Sequence, residues 1–278
     1  MTFLVITLGC FKNRVDSELL IQQMEKNYSY VADDDADIII INTCSFIEEA
    51  KQESINTILS YAERDAMLIV AGCLGQQYGG EIIDEIPGVD AVVGVYAYKD
   101  IRSIIEALKR GERVVRVRKE PDPGSVPPLV RQLLSPSHSA FIKLSDGCNR
   151  QCSFCIIPSL KGVLRSRSMD SIVTEAKGLA RNGVKEINLI SQETTSYGID
   201  RYGKRMLVGL LQEILKIPEL RWIRLLYNFP GEIDDALLSC IAENEKVCNY
   251  LDVPIQHISE RMLRAMKREA SGKHIRRS

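Results

Sequence analysis

The chain has 278 residues, room for one large domain or two ordinary ones. Its 36 Lys plus Arg against 37 Asp plus Glu leave a formal charge of -1, which argues against a domain that grips nucleic acid through a strong basic field. Hydrophobic residues at 45% and charged ones at 26% exclude disordered and fibrous classes, and the longest apolar runs fall far short of the ~20 residues of a membrane helix.

The opening MTFLVITLGC has the look of a lipoprotein signal, but it lacks a basic leader and Lys and Arg follow it. It reads as a buried strand, and a cytoplasmic protein is expected. Across residues 1–118, apolar runs at 3–8, 38–41, 67–71 and 89–93 predict strands. Helical patterns lie near 16–26, 47–63, 80–85 and 98–110. Short apolar strands separated by helices predict a doubly wound parallel sheet. Cys10, Cys44 and Cys73 follow the first three predicted strands, so their thiols are expected at the carboxyl edge, where open α/β sheets bind ligands. A three-thiolate metal site and three unrelated core cysteines both fit that placement.

Residues 119–137 hold five of the ten prolines (121, 123, 127, 128 and 136) and predict an inter-domain linker. In residues 138–278 the alternation restarts, with strands expected at 140–145, 186–191, 222–226 and 250–255. Helices are expected at 170–181, 206–215, 234–243 and 260–267. That makes four β/α units, where a complete (β/α)8 barrel takes about 250 residues. A partial barrel is therefore expected, with residues 251–255 as an apolar edge.

Directly after the first strand of this second set come Cys148, Cys152 and Cys155, spaced C-x3-C-x2-C. Polar neighbours (Asn149, Arg150, Gln151, Ser153) mark a loop rather than a core. Burial alone, a Cys152–Cys155 redox pair and structural zinc remain readings of the trio. An iron–sulfur cluster with one iron free of protein ligands fits the three-thiolate spacing best. Arg165 and Arg167 could bind a carboxylate or phosphate, or simply face solvent. Cys240 and Cys248, on a predicted helix and its following loop, are expected to be packing residues. Asp252 stands at a strand end, where barrel enzymes place functional groups, and His257 shortly after it.

With that cysteine spacing after the first strand of a β/α set, the chain resembles the radical S-adenosylmethionine enzymes. Phe154, before the last cysteine, suits that family's loop. The upstream domain with Cys10, Cys44 and Cys73 resembles the methylthiotransferases among them. Residues 8–18 (LGCFKNRVDSE), 190–198 (ISQETTSYG), 226–230 (LYNFP) and 250–257 (YLDVPIQH) resemble the type that modifies an aspartate of a small-subunit ribosomal protein. The tRNA-modifying relatives usually carry Gln-Met-Asn where this chain has Phe11-Lys12-Asn13. Lys161 stands where the family more often has Arg, and Gly79-Gly80-Glu81 matches a radical-enzyme element in the wrong domain. Family members continue into further barrel strands and a small β-barrel domain, so a C-terminally truncated chain is expected.

The resemblance implies two [4Fe–4S] clusters, one on Cys148, Cys152 and Cys155 with S-adenosylmethionine, the other on Cys10, Cys44 and Cys73. It implies insertion of sulfur and a methyl group at an unactivated carbon, with Gln192 and Gln256 placed to hydrogen-bond cofactor or substrate. The implied partners are a small-subunit ribosomal protein and a flavodoxin-type electron donor, with no membrane and no strong nucleic-acid binding by this chain. Methylthiolation of a tRNA adenosine, an inactive truncated product and a non-catalytic iron–sulfur protein stay open.

Overall fold

The computed structural model describes residues 1–33, 35–119 and 131–268. Most of the predicted linker and the tail after residue 268 lie outside them. The chain divides into two compact units, Met1–Pro127 and Pro128–Ser278.

The first unit runs β1 (Thr2–Thr7), α1 (Phe11–Met24), β2 (Ser29–Tyr30), β3 (Ile38–Thr43), α2 (Glu48–Tyr61), β4 (Met67–Gly72), α3 (Cys73–Glu85), β5 (Ala91–Val93), α4 (Ile101–Leu108) and β6 (Val114–Arg116). All pairings are parallel, in the order β2-β1-β3-β4-β5-β6. This is doubly wound, with the direction of winding reversing between β1 and β3. The run Ile38–Ile41 is fully buried because β3 is central and covered on both faces. In α4, Ile101, Ile104, Ile105 and Leu108 recur at helical spacing and bury one stripe.

Two helices start earlier than their patterns predict. Helix α1 begins at Phe11 because its inward face is polar, burying Lys12, Asn13, Asp16, Ser17 and Glu18, so apolar periodicity misses its first turns. Helix α3 begins at Cys73 and bends at Tyr78 (φ -123, ψ 26). The short edge strand β6 was not predicted; Val115 at its centre is exposed.

The second unit runs β7 (Ser139–Lys143), β8 (Ser145–Asp146), α5 (Ile157–Lys161), β9 (Arg165–Ser166), α6 (Met169–Arg181), β10 (Glu186–Ile190), α7 (Ile199–Tyr202), α8 (Leu207–Leu215), β11 (Trp222–Leu225), α9 (Asp235–Glu243), β12 (Val247–Leu251) and α10 (Glu260–Ala265). Its parallel sheet is ordered β12-β11-β10-β7, each strand beside its predecessor. Helix α6 packs on α8, and α8 on α9. This is winding in one direction, as in the wall of a β/α barrel.

The two faces of that sheet differ. Ala140, Ile142, Ile187, Leu189, Ile223, Leu225 and Val247 join the helices in one apolar core. The alternate residues are largely polar: Asn188 donates to Ser139 Oγ, and Arg224 pairs with Glu186 and lies over the Tyr250 ring. Strand β12 spans Val247–Leu251, starting and ending earlier than the predicted 250–255, since Val247 and Leu251 are the residues in register with β11. Cys248 consequently lies in a strand rather than a loop. Arg131 and Leu133, in the predicted linker, are packed into the second unit.

Candidate metal centres

In the first unit Cys10 is the N-cap of α1, Cys44 follows β3 and Cys73 opens α3, all at the carboxyl edge of the sheet. Cys10 and Cys44 flank the point where winding reverses, the usual ligand crevice of such sheets. The glycines before Cys10 and Cys73 are in the left-handed region: Gly9 (φ +80) and Gly72 (φ +96). A Cβ on Gly9 would lie 2.5 Å from Cys44 Cβ, and one on Gly72 would lie 2.5 Å from Thr43 O, so only glycine lets these loops close on β3. Burial pushes the Cys44 thiol up, and the charge of Cys10 adds to that shift. Gly79 and Gly80 sit within α3.

In the second unit the antiparallel pair β8–β9 pins the base of the cysteine loop. The loop is tied across by Cys148 N–H to Gly162 O (3.1 Å) and Leu164 N–H to Asn149 Oδ1 (2.9 Å). Ser153 donates its N–H to Met266 O and its hydroxyl to Ala265 O, fastening the loop to the end of α10. Burial raises the Cys148 and Cys155 thiols, and the neighbouring thiols raise them further, Cys155 and Cys152 at Cys148 and Cys152 at Cys155. Three thiols close enough to repel one another's charge suit a cationic centre that holds them as thiolates. Among the described residues no three His, Cys, Asp or Glu side chains gather around the position of a single ion. A cluster instead gives each thiolate its own iron.

Two cavities flank this loop. One of about 520 Å³ is lined by Gln151, Cys152, Phe229, Arg264, Lys267 and Arg268. The other, about 220 Å³, is lined by Cys148, Leu164, Glu193, Ser196 and Glu232. Arg150 lines both, paired with Glu232 and 3.6 Å from Glu193. Arg150 and Arg268 stack on the Phe229 ring at 3.9 and 4.4 Å. Arg268 also reaches Cys152 Sγ at 3.8 Å. Sequence reasoning missed this set; the LYNFP stretch that carries Phe229 was its one signal.

The remaining sequence-predicted residues scatter. Phe154 is half exposed in the cysteine loop, Gln192 half-buried after β10, and Gln256 exposed with φ +64. Arg167, expected to bind a carboxylate or phosphate or to face solvent, binds a carboxylate of its own chain. It pairs with Glu175 at 2.6 Å and donates to Lys143 O and Ser171 Oγ, because a buried guanidinium needs an internal counter-charge. Arg165 is half-buried in β9. Burial alone would push Asp146 up, but Lys143 (2.9 Å) and Lys161 overcome it and hold its carboxyl at about 2. Asp252 accepts from the Tyr227 N–H at 2.9 Å, pinning a left-handed residue (φ +61), and His257 Nδ1 accepts from Ser259 N–H. Cys240 is buried in the core. All eight cysteines are free thiols.

Comparison with known proteins follows the same division. Residues 2–94 match a family described as "Uncharacterized protein family UPF0004", and residues 142–278 match the radical SAM superfamily. The ribosomal protein uS12 methylthiotransferase RimO of Acetivibrio thermocellus is 46% identical over 284 residues, covering 98% of this chain. The RimO proteins of Clostridium acetobutylicum and Geotalea uraniireducens are 44% and 45% identical over 99% and 98% of it. Along nearly its whole length this chain is similar to the RimO-type methylthiotransferases. It spans 62–63% of the length of those RimO relatives. Among solved structures, the radical S-adenosylmethionine methyltransferase TsrM from Kitasatospora setae matches with TM-score 0.68 at 16% identity, over 99% of this chain and 64% of its own. The cobalamin-dependent radical enzyme OxsB matches with TM-score 0.60 at 10% identity, over 99% of this chain and 46% of its own. At such identities the likeness is one of fold.

Proposed function

We propose that this chain carries the cluster-binding and cofactor-binding part of a radical S-adenosylmethionine methylthiotransferase acting on a small-subunit ribosomal protein. The observation that carries the reading is the thiol trio Cys148, Cys152 and Cys155. It is gathered in one loop after β7 and flanked by two cavities, in a chain 46% identical to a RimO. The substrate is uS12 by the relatives' names, and the family resemblance of residues 8–18 and 250–257 points to an aspartate side chain as the modified group. The setting is the cytoplasm, with a flavodoxin-type one-electron donor.

On this reading Cys148, Cys152 and Cys155 hold one [4Fe–4S] cluster, and Cys10, Cys44 and Cys73 a second. Together with S-adenosylmethionine, the bound clusters supply radical hydrogen abstraction from a carbon no base could deprotonate, and the sulfur and methyl group to be inserted. The chain's own residues fix where this happens. Arg150, held by Glu232 and stacked on Phe229, anchors the loop to the segment after β11, and Ser153 anchors it to α10. Glu193 is itself held by the Ser196 N–H at 3.1 Å and by the hydroxyls of Thr195 and Ser196. Phe154, Gln192 and Gln256 are assigned to cofactor or substrate contact.

The test is iron and acid-labile sulfide per chain after anaerobic reconstitution, wild type against the Cys148→Ala/Cys152→Ala/Cys155→Ala variant. Two clusters predict about eight irons falling to about four, with reductive cleavage of S-adenosylmethionine lost in the variant. Zinc in place of iron, or unchanged iron in the variant, would overturn the assignment.

A further inference from the structure

Two side chains outside the first unit's thiol trio tie together the three strand ends that carry it. Asn13, in α1, donates its amide to Leu8 O at 3.0 Å and to Thr43 O at 2.9 Å. One carboxamide therefore joins the residue before Gly9-Cys10 to the residue before Cys44. Thr43 donates its hydroxyl to Ala71 O at 2.5 Å, the residue before Gly72-Cys73. The chain of bonds runs from the first strand end to the third and passes through no thiol.

The same region is reinforced on both sides. Asn42 donates to Asn13 O and Ser17 Oγ, both at 2.9 Å, and Ser54 Oγ accepts from the Cys44 N–H at 3.0 Å. Asn13, Asn42, Thr43 and Ser54 are all buried, Asn13 at 2% exposure and the others at 0%. Buried polar groups are costly unless paired, and a fully paired network specifies one arrangement of the backbone around it. A helix needing only to cover the sheet would present apolar residues here; α1 presents polar ones where the cysteine-bearing ends converge.

We propose that Asn13 and Thr43 are positioning residues for the first unit's cluster, holding the Cys10, Cys44 and Cys73 strand ends at a set spacing before iron binds. The proposal rests on the reading of that trio as a cluster site. Groups that orient metal ligands from outside the coordination sphere typically alter metal affinity by about 10–100-fold when removed.

The experiment uses the full chain carrying Cys148→Ala, Cys152→Ala and Cys155→Ala, so that only the first unit's trio can hold a cluster. After anaerobic reconstitution, iron per chain, the EPR spectrum of the dithionite-reduced protein and the rate of iron loss to a ferrous chelator are measured. Thr43→Val keeps the shape and loses the hydroxyl, Thr43→Ser restores it, and Asn13→Leu removes the carboxamide. Expected are iron loss at least about tenfold faster and an altered EPR spectrum in Thr43→Val and Asn13→Leu, with Thr43→Ser close to the parent. Unchanged far-UV circular dichroism of the iron-free chains separates this from misfolding; should Asn13→Leu misfold, the Val and Ser pair at position 43 decides alone. Parent-like iron loss and EPR in Thr43→Val overturn the proposal, as does a Thr43→Ser that behaves like Thr43→Val. A parent chain that binds no iron overturns the cluster reading itself, a result the parent reveals before any variant is compared.

Discussion

Replacing Glu175 by Gln would leave two guanidinium groups facing each other inside the second unit. The Glu175 side chain, 2% exposed, is paired with Arg131 (1%) and with Arg167 (15%). Both arginines are committed elsewhere as well, Arg131 to Phe141 O and Arg167 to Lys143 O at 2.8 Å. Burial first, and the charge of Arg131 second, already pull Arg167 down to about 10. Removing one member of a buried pair typically costs about 3–5 kcal/mol, and here a single carboxylate serves two cations, so the upper half of that range is expected. In a unit of this size that corresponds to a fall in Tm of roughly 8–20 °C, at about 2–4 °C per kcal/mol. The assay is thermal unfolding followed by the fluorescence of Trp222, the chain's one tryptophan, which lies in β11 of the same unit. Arg131→Met should cost less, because Glu175 keeps Arg167 as a partner. The double variant should lose less than the two single losses combined. A Glu175→Gln chain within about 1 kcal/mol of wild type, or strictly additive losses, would refute a buried three-member ion pair as the clamp on this side of β7.

Two further outcomes are expected. Asp234 caps α9 by accepting from the Leu237 N–H at 2.9 Å, so Asp234→Ala should destabilise the second unit by about 1 kcal/mol in the same fluorescence melt, with Asp234→Asn near wild type. Asp37 accepts from the backbone N–H of Thr2 at 2.6 Å and from the Thr2 hydroxyl, which hold its carboxyl below the ordinary 3.8. A depressed folded-state value means its stabilisation is complete above the unfolded-state value and disappears as pH falls through the folded one. Its NMR titration midpoint should lie below 3.8, and Asp37→Asn should flatten the acid limb of the stability profile; a midpoint at or above 3.8 would contradict the geometry.

Much of this architecture was legible one residue at a time. Ile38–Ile41 could only be a strand buried on both faces, and Cys10, Cys44 and Cys73 stand at strand ends once β1, β3 and β4 are recognised. The cysteine loop announced itself by spacing and by its polar neighbours. Misreadings occurred where side chains serve a local purpose that periodicity does not register. Helix α1 buries Lys12, Asn13 and Asp16 beside the thiol trio, and an apolar pattern cannot report a polar inward face. Arg167 reads as an anion binder or a solvated charge until Glu175, almost two turns into α6, is seen paired with it. The limits of β12 depended on register with β11, which its own residues do not encode.

By itself the sequence determined the two β/α sets, the strand ends at which all six motif cysteines stand, and the C-x3-C-x2-C loop, because each follows from chemistry within a few neighbouring residues. Tertiary structure alone decided which strand lies beside which, and hence that Cys10 and Cys44 flank a reversal of winding. It also decided that Asn13 and Thr43 join three strand ends, and that Arg150 and Arg268 both stack on the Phe229 ring beside the cysteine loop. All but the Asn13–Leu8 bond are contacts between residues tens of positions apart. A hydrogen bond or an ion pair forms only where packing brings donor and acceptor within about 3 Å, and no local pattern along the chain specifies that distance.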